Sequence, residues 1–173
     1  MRGLPLIAVP MVALGAASAS AAALAIGEKV SREGMEIAAQ YRTGVEMDRM
    51  PAGMGMGKEA VHLEAVIHAA RDEVHGFAPG AWIPYLDIHY ELTKDGEKTF
   101  KRTGILFPMA AKDGPTYAND VDMGGAGSYR LTYFIAPPSA HGFLRQTDKA
   151  TGVPDWWKPI TLNWTFTYPG KTT

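Results

Sequence analysis

Apolar residues recur at every second position in four separate segments, and any fold for this chain must satisfy that period. In 61–68, Val61, Leu63, Ala65 and Ile67 alternate with His62, Glu64 and His68. In "WIPYLDIHYEL", Trp82, Leu86, Ile88, Tyr90 and Leu92 stand against Asp87, His89 and Glu91. Tyr129, Leu131, Tyr133 and Ile135 share one face of "SYRLTYFI". Ile160, Leu162, Trp164, Phe166 and Tyr168 oppose Thr161, Asn163, Thr165 and Thr167 in "ITLNWTFTY". A helix would scatter these residues around its axis, whereas a strand gathers them on one side. Turn signals separate the runs: "KDGEK", "KDGPTY", "MGGAGS" and "YPGK". Lys94-Asp95-Gly96-Glu97 reads as a hairpin turn.

Two further segments join the set. "KVSREGMEIAAQYR" has a helical alternative, which Gly34 and the β-branched residues weaken, so its second half, 37–42, is taken as a strand. "RTGILFPMAA" supplies another. About seven short strands in one domain, with no internal repeat, predict an all-β, two-sheet antiparallel sandwich. One connection is unusually long. Pro137–Lys158, "PPSAHGFLRQTDKATGVPDWWK", has no clear period, and Trp156 and Trp157 are expected to pin it to the sandwich. Loops of this length are often functional.

The N-terminus follows another logic. Arg2, an apolar run, and then Ala19-Ser20-Ala21 have the layout of a secretory signal peptide over residues 1–21. The run is too short and too rich in Gly, Pro and Ser for a transmembrane span, although an uncleaved anchor is the rival reading. The folded domain is then 22–173, with no membrane insertion of the mature chain. There is no cysteine, which excludes thiolate metal sites and cysteine nucleophiles. An exported, cysteine-free chain with a bacterial-type leader points to the periplasm. A net charge of −1 gives no support to nucleic-acid binding.

Neither a nucleophile elbow nor a Gly-rich phosphate loop is present, so the residues that could carry chemistry are the histidines and methionines. His62 and Glu64 are two apart on a strand, so both point the same way, about 7 Å apart. An ion can sit between two such side chains, but spacing alone equally fits a surface strand that carries them by chance. His68 lies too far along the same face to share an ion with His62, and reads as structural. His89, between Asp87 and Glu91, reads as solvent-exposed, and His75 as a turn residue. Of nine methionines, Met47, Met50, Met54 and Met56 crowd into a Gly- and Pro-containing stretch that cannot be a regular strand. Methionine normally fills core gaps. In a loop it can pack beneath it, form a subunit contact, or offer thioether sulfur to Cu(I). Met109 sits near a strand end before "KDGP".

Several ordered motifs resemble one family. "HLEAVIHA", "WIPYL", "FPMAAKDGPTY", "YRLTYFIAPPS" and "TDKATGVPDWWKPITLNWTFTY" look like the bacterial periplasmic iron-transport proteins, over residues 40–168. The resemblance implies an immunoglobulin-like β-sandwich, a homodimer, an inner-membrane iron permease as partner, and a copper site linked to iron uptake. Its strand histidine and glutamate fall on His62 and Glu64, and its methionine on Met109. The family's other two histidine positions carry Thr116 and Gln146 here. That substitution weakens a Cu(II) site and leaves His141 as a possible replacement ligand. The expectation is a periplasmic, homodimeric metal-binding protein, not an enzyme, that assists Fe(II) acquisition with copper and/or iron held by His62, Glu64 and Met109 under the long loop. The alternatives are a secreted immunoglobulin-like interaction module with a degenerate site, or a Cu(I) chaperone using Met47, Met54 and Met56.

Overall fold

The computed structural model describes residues 22–57 and 60–170, so the leader read over 1–21 lies outside the described residues. Nine strands follow in order: β1 (Leu24–Arg32), β2 (Met35–Arg42), β3 (Ala60–Ala69), β4 (Asp87–Lys94), β5 (Glu97–Ile105), β6 (Phe107–Ala111), β7 (Gly114–Asp122), β8 (Gly127–Ala136) and β9 (Ile160–Tyr168). They form a five-stranded sheet, β1-β2-β3-β7-β6, and a four-stranded sheet, β5-β4-β8-β9. Every pairing is antiparallel. The two sheets make the expected β-sandwich, consistent with an immunoglobulin-like fold. Among the described residues no helix is long and apolar enough to cross a membrane.

The alternating residues meet between the sheets. Ile37, Leu63, Ala65 and Ile67 of the first sheet pack against Ile88, Leu92, Leu131 and Tyr133 of the second, all buried. Tyrosine hydroxyls inside this core need partners. The Tyr133 hydroxyl donates to the Glu64 carbonyl at 3.0 Å, which ties the second sheet to β3 at the residue of most interest. Burial holds the Tyr133 phenol well above its ordinary pKa. The Tyr117 hydroxyl donates to Ile83 O at 2.9 Å and accepts from Leu86 N at 3.0 Å. Burial pushes its pKa up to about 12, against the lowering effect of the Leu86 amide.

The strand count exceeds the sequence reading by two. "KVSREGMEIAAQYR" is a hairpin: Arg32 pairs with Met35, and Glu33 and Gly34 lie at φ 51° and 69°. Two positive φ values are the mark of a type I′ turn. The other missed strand is β7, where "KDGPTY" is a turn only as far as Asp113. "RTGILFPMAA" proves to be two strands in different sheets. The chain crosses over at buried Leu106, whose amide donates to Ile88 O, and Asn119 Nδ2 holds the corner through Ile105 O at 2.7 Å. "WIPYL" is no strand either. Trp82 makes one bridge to His68, and Tyr85 turns the chain at φ 62° before β4 begins at Asp87.

The long connection is anchored where its tryptophans suggested. Trp156 stacks on His75 at 4.8 Å between ring centroids, and Trp157 is buried. His75 is itself held, with Nδ1 at 2.9 Å from Glu73 Oε1 and Nε2 at 3.1 Å from Asp155 O. Residues 138–141 form a single 3-10 turn.

Candidate metal centre

The register of the first sheet determines which side chains share its outer face. Glu64 stands between Gln40 on β2 and Ala118 on β7, and His62 between Arg42 and Asp120. On β6, Met109 pairs with Thr116. Met109 is therefore two strands away from Glu64, about 10 Å across the sheet. His62, Glu64, Arg42, Met109 and Thr116 line one cleft of about 1520 Å³, together with Gly44–Arg49, Pro51 and the rest of Phe107–Asp113. The cover is the methionine-containing segment after β2, not the long Pro137–Lys158 connection, which contributes no residue to the cleft. That expectation is corrected: the aromatic contacts of Trp156 with His75 and Phe77 hold the long connection against the chain before β4.

His62 and Glu64 are only 5 % and 3 % exposed, although they point away from the core. Burial there calls for polar partners, and the sheet supplies them. His62 Nδ1 lies 2.7 Å from Asp120 Oδ1. A carboxylate only accepts, so Nδ1 carries the hydrogen, and Nε2 is the ring nitrogen left to face the cleft. Nε2 faces Glu64 Oε1 at 3.9 Å. Glu64 accepts from Gln40 Nε2 and from Arg42 Nε, the latter at 3.0 Å. Arg42 also donates to Asp113. That bond, reinforced by the Glu64 charge, raises the Arg42 pKa, and the same guanidinium holds the Asp113 carboxyl below its usual range.

The arrangement suits a transition-metal ion. A carboxylate on the far nitrogen of a histidine orients the ring and raises its basicity, the usual outer support of a metal-binding imidazole. Imidazole nitrogen, carboxylate oxygen and thioether sulfur together fit copper. The set is small: among the described residues, no three His, Asp or Glu side chains converge closely enough to hold an ion. Thr116, where the resemblance implies a histidine, lines the cleft, but its hydroxyl donates to Ala65 O at 3.0 Å. Gln146 is exposed in the long connection. His141 does not enter the cleft of its own chain. Its Nε2 lies 3.6 Å from Asp87 Oδ1, which also faces His89 Nε2 at 3.4 Å.

The four loop methionines separate. Met47 lines the cleft, Met54 is buried, Met50 is half exposed and Met56 is 83 % exposed. Asp120, Gln40, Arg42 and Asp113 were not singled out from sequence. The alternation of Asp120 and Asp122 in "YANDVD" was the available signal for the first. It becomes meaningful only once β7 is seen to pair with β3.

The chain is similar to several known proteins. A UPF0423 protein of Brucella abortus is 45% identical over 168 residues, covering 94% of this chain and 90% of that protein. Uropathogenic Escherichia coli FetP, recombinantly expressed in the periplasm, superposes with TM-score 0.79 at 42% identity, covering 87% of this chain and 99% of FetP. Copper-reconstituted P19 of Campylobacter jejuni superposes with TM-score 0.80 at 38% identity, covering 88% and 99%. Residues 20–170, which take in the whole sandwich and its cleft, match the Fe2+ transport protein family, and the chain belongs to that family.

Proposed function

We propose that the protein is a periplasmic, homodimeric copper-binding protein that assists Fe(II) acquisition beside an inner-membrane iron permease, and that it binds metal rather than catalysing a reaction. The observation that carries this reading is the His62 ring: Asp120 holds one nitrogen, and the other faces Glu64 inside a cleft that Met109 also lines. His62 Nε2 would be the nitrogen ligand, Glu64 the oxygen ligand and Met109 the soft ligand. Bound copper supplies a one-electron redox couple. Gln40 and Arg42 orient the Glu64 carboxylate, and the 43–57 segment limits access of water.

The solved relatives support the reading. Copper-bound Glu→Gln variants of FetP and P19, and copper-bound Met→Ile and Asp→His variants of P19, have been solved. The varied Met and Asp of P19 are four residues apart, as are Met109 and Asp113 here. The family description and the leader-like N-terminus support a periplasmic role in iron transport. Support for a second copy comes from Leu144, 88 % exposed, beside Phe143, which stacks on half-exposed Tyr85.

The competing reading, an interaction module with a degenerate site, draws on the small number of converging ligands. Titration with Cu(II), Cu(I) and Fe(II), alongside His62→Ala and Glu64→Ala, separates the two. We expect His62→Ala to weaken copper binding by about tenfold or more. If neither substitution alters affinity for any of the three ions, the site is not here; no measurable binding of any of them supports the module reading.

A further inference from the structure

We infer that the cleft is selective for Cu(I), with Met47 serving as a second sulfur ligand beside Met109. This rests on the proposed copper function and specifies the oxidation state it would handle. Three observations lead to it. Met47 is the one loop methionine that lines the cleft, since Met54 is packed away and Met50 and Met56 face solvent.

The segment carrying Met47 is tied to the imidazole's own support. Gly55 N donates to Asp120 O at 2.5 Å, and Gly57 N to Asp122 Oδ1 at 2.5 Å. Asp120 is also the residue that orients His62. Loop and ring are therefore positioned by the same stretch of β7.

The donors beside Glu64 are soft. The Thr116 hydroxyl is used on Ala65 O. Next to the Glu64 carboxylate stand one imidazole nitrogen and two thioether sulfurs, and thioethers favour Cu(I).

The test is an anaerobic competition of the purified protein against a chromophoric Cu(I) chelator, paired with a Cu(II) titration. The variants are Met47→Leu, Met109→Leu, His62→Ala and, as a loop control, Met56→Leu. Leucine keeps the volume and removes the sulfur. Met47→Leu is expected to weaken Cu(I) binding about tenfold, to leave Cu(II) binding nearly unchanged, and to reduce the sulfur ligands per Cu(I) seen by X-ray absorption from two to one. Met56→Leu should do neither. Unchanged Cu(I) affinity and sulfur count in Met47→Leu, with a loss in Met109→Leu, overturn the role of Met47 and leave the copper site standing. If His62→Ala and Met109→Leu also change nothing, the copper reading itself has failed.

Discussion

The two faces of β3 are both buried, for different reasons. Val61, Leu63, Ala65 and Ile67 face the other sheet and lose water by ordinary apolar packing. His62 and Glu64 face outward and lose water because Arg42, Gln40, Asp120 and the 43–57 segment enclose them. One face is held by shape and the other by matched hydrogen bonds and charge. An apolar face keeps its burial through any change that preserves volume. A polar face keeps it only while each partner remains. A strand made this way can carry a site without weakening the sandwich, because the fold is anchored by the opposite face.

Substitutions can test that division. The largest effect is expected from Leu63→Ala, which removes buried apolar contacts beside Tyr41 and Asn119. It should cost about 2–5 kcal/mol of stability, read by denaturant unfolding, with metal affinity of the folded fraction unchanged. A loss of affinity as large as that of His62→Ala would show that the two faces are not separable.

Gly55→Ala should have an intermediate effect, confined to the outer face. A Cβ there would meet Asp122 N at 2.7 Å and Asp120 O at 2.9 Å, both backbone atoms of β7 that cannot swing aside. The expected cost is about 1–3 kcal/mol, with faster proteolysis within 43–57 and an intact core. Unchanged proteolysis would mean that the segment does not depend on this anchor.

The smallest effect is expected from Asp113→Asn. Arg42 holds the Asp113 carboxyl below its ordinary range, so the pair contributes stability above the unfolded value near about 3.9 and loses it as pH falls through the lower folded value. Asp113 is 59% exposed, so solvent screens most of the interaction. The variant should be slightly less stable at neutral pH, and the difference should shrink as pH falls below the ordinary carboxylate range and through the lower folded value. A difference that does not shrink on acidification would refute the assignment to this carboxylate.

Much of the architecture was legible because a period of two leaves few choices. The core residues of β3, β4, β8 and β9 were read correctly from alternation alone. The missed elements lacked that signal. β1 is mostly exposed, with buried Ile26 its one clear core residue, and β7 opens on Gly114-Pro115, which reads as a turn. The site was legible only in part. His62, Glu64 and Met109 were named through a family resemblance, and the structure places all three in one cleft. Asp120, Arg42 and Gln40 were not, because cross-strand neighbours are set by register, which a local pattern does not encode.

By itself the sequence determined a two-sheet sandwich and the face of β3 on which the histidine and glutamate lie, because side-chain direction in a strand is a local property. Only the tertiary structure decided that the 43–57 segment covers that face, that Met47 rather than Met54 or Met56 reaches the cleft, and that His141 sits instead beside Asp87. Those outcomes depend on which distant strands pair and where each loop is anchored. They follow from long-range packing, which no single segment of the chain specifies.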